Sequence, residues 1–189
     1  MWSLSRNSRR ANCAHNPLAL GAAIALALFS GAALADGAQR FVFTAYSDAS
    51  GGADVVAGRY QAALRELASH RDIMDLDPSA ANTNRCVAFS MTLQWQQARA
   101  ACDAAVHAAV ERRLTAQASW LPSSNTESLA VAYANRAVVN WLSHDDAAAS
   151  EDLAKARELS PSAAFVARNL AALKMHAEMA QVGAAAPKS

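Results

Sequence analysis

The residues able to do chemistry are few and scattered. Histidines occur at positions 15, 70, 107, 144 and 176, and none stands at metal-site spacing from a second ligand. The cysteines, Cys13, Cys86 and Cys102, form no Cys-x2-Cys pair. Glu66, Asp103 and Glu151 fall on separate predicted helices with no evident carboxylate partner for acid–base work. The sequence has no glycine-rich phosphate loop and no Gly-x-Ser-x-Gly. His144-Asp145-Asp146 is a polar cluster, but it lies in a break between two helical runs and reads as a solvated turn. No catalytic group, cofactor or metal is expected, so an enzyme is the weaker reading. What recurs is an amide. Asn84-Arg85-Cys86, Asn135-Arg136-Ala137 and Asn169-Leu170-Ala171 are three versions of one triplet, and a carboxamide offers a donor and an acceptor together.

Helices must position those amides, and the clearest pair lies at 130–163. Tyr133, Ala137, Val138 and Trp141 share one helical face, and Ala149, Leu153 and Ala156 share another, on either side of the polar break at 143–146. Small residues at Ala137, Ala149 and Ala156 let two antiparallel helices approach closely, and Pro161 stops the second.

Residues 1–35 read as a secretory signal peptide. Arg6, Arg9 and Arg10 precede an apolar run over 17–30, and Ala33-Leu34-Ala35 is an A-x-A cleavage site before Asp36. Cleavage would remove Cys13 and three of the 17 basic residues, leaving 14 against 16 acidic ones on 154 residues. That balance lacks the basic stripe needed for nucleic acid or an anionic membrane surface. No second long apolar run follows, so no membrane insertion is expected after cleavage. Residues 36–52 form an irregular lead-in. Arg40–Tyr46, aromatic and β-branched, suits a short extended piece, with Phe41 and Phe43 expected to cover the first helix pair before Gly51-Gly52 breaks any helix.

The helical region resembles the tetratricopeptide repeat family. The carrying residues are Ala137, Ala149-x3-Leu153 and Pro161, together with the return of the triplet after 34 residues, from Asn135 to Asn169. Asn84 precedes Asn135 by 51, so about 17 residues are inserted. The resemblance implies an all-α, right-handed solenoid of stacked antiparallel helix pairs, about three and a half repeats over residues 53–180. A damaged first repeat covers 53–70, with Gly58-x-Tyr60-x2-Ala63-x3-Leu67, and Asp77-Pro78 reads as its displaced end. The second repeat covers 79–112, where Asn82 replaces a large aromatic, Leu93 a turn glycine and Arg85 a leucine, as Arg136 does in the next repeat. The 114–128 insertion reads as a surface loop, with Trp120 keeping a binding role open and Thr126 or Ser128 as caps of the next helix. A last helix over about 161–179 closes the array, and 181–189 is a flexible tail.

Two site expectations follow. Cys86 and Cys102 lie about equally far from the Leu93-Gln94 turn, one on each helix of a hairpin, so a disulfide is expected, with two buried free thiols as the alternative. In the family, asparagines at the place of Asn84, Asn135 and Asn169 line a concave groove and bond a peptide's backbone, or else tie neighbouring helices. With Val87, Met91, Val138, Trp141, Arg168 and Met175 beside them, the groove would take a neutral or apolar extended peptide. The resemblance therefore implies a periplasmic or secreted adaptor for a protein or peptide partner. The alternative is a self-associating structural subunit of an envelope assembly.

Overall fold

The computed structural model describes residues 40–69, 77–117 and 124–185. Residues 1–35, expected to be a signal peptide, and Trp120 lie outside them. Among the described residues every regular element is a helix: α1 (Gly52–Val56), α2 (Tyr60–Ser69), α3 (Pro78–Met91), α4 (Trp95–Gln117), α5 (Ser124–Leu142), α6 (Asp146–Leu159) and α7 (Ala164–Ala185). None of these helices is long and apolar enough to cross a membrane.

The helices pair as α1–α2, α3–α4 and α5–α6, and the leading helices α1, α3, α5 and α7 pack one on the next. All three hairpins close with the same turn. Gly58, Leu93 and His144 adopt φ of 74°, 60° and 62°. In each, that residue's N–H bonds the carbonyl three back, and the next N–H bonds the carbonyl five back, as in Gln94 to Phe89 at 2.9 Å and Asp145 to Asn140 at 2.9 Å. This pair of bonds is the Schellman closure, which satisfies helix-end carbonyls at the cost of a left-handed residue. Glycine accepts that conformation freely, whereas Leu93 and His144 carry a steric penalty. Asp145 then caps α6 by accepting from the Ala148 N–H at 3.1 Å.

The interfaces between paired helices are built from small residues because the sequence places alanine where backbones meet. Ala98, Ala105, Ala149 and Ala156 are buried, as are Ala134 and Ala137. Ala137 and Leu153 meet in the α5–α6 pair. The corresponding pair of positions in α3–α4, 51 residues earlier, is Cys86 and Cys102, joined as a disulfide with Cα atoms 4.9 Å apart. The small alanines flanking it bring the two helices close enough for the bond, which disposes of the free-thiol alternative.

Several boundaries differ from those expected. Pro78 starts α3 rather than ending a repeat, and Asp77 caps it, accepting from Ser79 and Ala80. Proline suits a first helical turn, where its missing N–H has no partner to lose. The insertion is partly helical: α4 runs to Gln117 and α5 begins at Ser124, so Thr126 and Ser128 lie inside α5 rather than capping it. Helix α7 starts at Ala164 and continues through Ala185, into what was expected to be tail. Arg136, in the expected place of a leucine, gives up packing for charge. It forks onto Asp152 with two bonds of 2.8 Å and reaches Asp103 at 3.0 Å. Asn140 also donates to Asp152, at 3.1 Å. The network ties α4, α5 and α6 together, and the bonded Asp152 carboxylate raises the Arg136 pKa above its already high ordinary value.

Candidate functional site

Asn84, Asn135 and Asn169 stand in line on α3, α5 and α7, and all three are essentially inaccessible, at 0%, 1% and 0% exposure. A buried carboxamide must find partners for both ends. Here the partner is the chain's own lead-in. Asn169 accepts from the Val42 N–H at 2.8 Å and donates to the Val42 carbonyl at 3.0 Å. Asn135 treats Thr44 the same way, at 2.9 and 2.7 Å. Asn84 treats Tyr46 likewise, at 2.8 and 2.9 Å, and its amide also reaches the Ser50 carbonyl at 3.1 Å. Each amide thus imitates a peptide group of a neighbouring strand.

The bonded residues alternate, which is the mark of an extended chain, because successive peptide groups of a strand point to opposite sides. Residues 40–46 are therefore a strap laid across three leading helices, running from α7 back to α3. Its intervening side chains supply the apolar contacts. Phe41 stacks on His176 with ring centroids 5.7 Å apart and lies 4.5 Å from Trp141. Phe43 packs on the cluster of Cys86, Ala98, Ala101, Cys102 and Val139, and with Ala45 on Val55, Ala63 and Val87. Phe43 thus covers the first helices as expected, but Phe41 sits at the opposite end of the array. Residues 42, 44 and 46 are held because the asparagines satisfy their backbone groups.

The strap's far end is fixed just as tightly. Gly51 takes φ 69° and caps α1, and Gly52 is its first helical residue, so this pair starts a helix rather than breaking one. A Cβ on Gly52 would lie 1.7 Å from the Tyr46 carbonyl oxygen and 2.9 Å from the Asn84 amide nitrogen. Only glycine lets the strap turn over α1. The Tyr46 hydroxyl lies beside Ser128, and burial raises its pKa above the ordinary phenol value.

The other expected lining residues divide. Val87 and Val138 are buried beneath the row rather than open to a ligand. Trp141 and Met175 are half-buried, and Met91 and Arg168 are exposed. The asparagines bond the backbone of an extended segment, as one of the two expected roles has it, but the segment is the chain's own and it covers the row. The extended piece at 40–46 is legible from its aromatic and β-branched residues, but not what it lies on, because its partners are 38 to 127 residues away. Among the described residues no group of three or more His, Cys, Asp or Glu comes together to hold a metal. A polar recess of about 260 Å³ lies over the Arg136–Asp152 network, lined also by Arg99, Glu151 and Lys155. No known family, curated protein or solved structure matches the chain.

Proposed function

We propose that the chain is a tetratricopeptide-like right-handed solenoid and that its function is to hold an extended polypeptide along the asparagine row, as an adaptor in the periplasm. The observation that carries this reading is the row itself. Three amides at corresponding places in successive leading helices each give a donor and an acceptor to alternate residues of one backbone. Such readout is independent of side-chain identity and suits a surface that takes a chain in extended form. The three identical hairpin turns and the return of the triplet after 34 residues support the repeat architecture. The disulfide supports an oxidising compartment, and the basic start, apolar run and Ala33-Leu34-Ala35 support export.

The test is a peptide array probed with the full chain, followed by affinities for the best sequences. The chain used has its strap released by Val42→Pro with Thr44→Pro, so that the strap and the peptide do not lose the same bonds together. In it, Asn135→Ala with Asn169→Ala removes the four bonds these amides make to a backbone. Binding should weaken at least roughly thirtyfold, since each net hydrogen bond contributes about 0.5–1.5 kcal/mol. Unchanged affinity on an intact fold would take the asparagine row out of the site. Self-association is the second reading, and the strap favours it, because a segment held in its own groove is interchangeable between copies. Sedimentation over a concentration series separates the two, since exchange between copies raises the mass without any partner.

A further inference from the structure

We infer that residues 41–46 are an intramolecular pseudo-ligand, and that the groove's partner is an uncharged extended segment of the same pattern that displaces them. The inference rests on the groove reading above and goes beyond it in two respects: the groove is occluded by the chain itself, and the occluding sequence specifies the ligand.

The strap is built to be held and also to leave. Its residues from Phe41 to Tyr46 are only half-buried, whereas the asparagines beneath are fully buried. Its backbone bonds at 42, 44 and 46 go to asparagine side chains, so releasing it breaks no helix. It is joined to α1 by a short turn in which Ser47 and Asp48 are exposed. Once it leaves, three buried carboxamides are bared together, and they need a replacement backbone. That replacement must bring its own N–H groups at alternate positions, which excludes proline there. It must also supply large apolar side chains at the places of Phe41 and Phe43, against Trp141 with His176 and against the disulfide cluster, and a small residue at the place of Ala45. Residues 41–46 carry no charge, and that uncharged run is the pattern a replacement would copy.

Tethering sets the strength of the occlusion. A segment on a short linker competes at an effective concentration on the order of millimolar. A free peptide with an intrinsic Kd of about 10 μM is therefore held back roughly hundredfold.

The probe is a fluorescein-labelled decapeptide with the sequence of residues 39–48, titrated by anisotropy into the full chain. The opened variant is Val42→Pro with Thr44→Pro, which removes the two N–H groups that Asn169 and Asn135 accept. It should bind the decapeptide at least about tenfold more tightly than wild type does. Adding Asn135→Ala to the opened variant should reverse most of that gain. A decapeptide carrying the same two prolines should not bind. The inference is overturned if the opened variant, with native helical circular dichroism, binds no more tightly than wild type, if the proline peptide binds equally well, or if the opened variant dimerises instead. Should the opened variant not fold, amide hydrogen exchange on wild type decides. Millimolar decapeptide should speed exchange at Val42, Thr44 and Tyr46, and unchanged protection there would count against displacement. An opened variant that takes its own peptide but no foreign one leaves the pseudo-ligand standing and sinks the adaptor reading. Wild type that binds foreign peptides through the asparagines with its strap still protected does the reverse.

Discussion

Replacing Gly52 by alanine sets two physical effects against each other, and their sum has a definite sign. Gly52 is the first residue of α1, and on helix propensity alone Gly→Ala gains up to about 1 kcal/mol. The structure opposes that gain. The added Cβ would fall 1.7 Å from the Tyr46 carbonyl oxygen and 2.8 Å from its carbon. Those are backbone atoms, so no rotamer change relieves the clash, and the strap must lift from α1. Lifting it breaks the two Tyr46–Asn84 bonds and the Asn84–Ser50 bond. Three net hydrogen bonds are worth about 1.5–4.5 kcal/mol, and Asn84, at 0% exposure, is left without partners for its amide. The net change should be a loss of roughly 1–3 kcal/mol, measured by urea denaturation of the full chain. Amide exchange should localise the damage, with Tyr46 losing protection first. Gly58→Ala is the control: its φ is 74° but nothing lies within 4 Å of the added Cβ, so it should lose only about 1 kcal/mol of backbone strain and leave Tyr46 protected. A Gly52→Ala protein more stable than wild type, with Tyr46 still protected, would refute the close approach and the strap's placement with it.

Leu93→Gly and His144→Gly should each stabilise by roughly 1 kcal/mol, because both residues hold φ near 60° and Leu93 is 69% exposed with little packing to lose; a higher urea midpoint for each checks this. Reducing the Cys86–Cys102 bond should lower stability by roughly 3 kcal/mol, and thiol labelling of the unreduced, denatured protein should label neither Cys86 nor Cys102. Asp152→Ala should cost about 3 kcal/mol or more, since it strands Arg136 and Asn140 in the α4–α6 network, whereas Asp152→Leu with Arg136→Met should recover most of the loss in the same denaturation assay. The exported protein should begin at Asp36 by intact mass, and retention of residues 1–35 would refute cleavage.

Helical content and hairpin pairing were legible in the sequence because they depend on neighbours. Apolar residues three and four apart, alanines where helices meet and a proline past the end each act within a few turns. The same locality made the disulfide legible, since Cys86 and Cys102 sit at similar heights on one hairpin and needed only its turn to be found. The asparagine triplets at 84, 135 and 169 were legible as a repeat, but not what they hold. That answer depended on Val42 meeting Asn169 across 127 residues, a pairing that no local propensity encodes. Gly52 reads in sequence as a helix breaker, and only the passage of the Tyr46 carbonyl over it shows why no side chain fits. Arg136 likewise reads as a packing defect until folding brings Asp103 and Asp152 to it from two other helices. Periodicity fixes which face of a helix is apolar. What lies across that face is set by the packed assembly, where each buried polar group must find its partner from whatever the fold brings near.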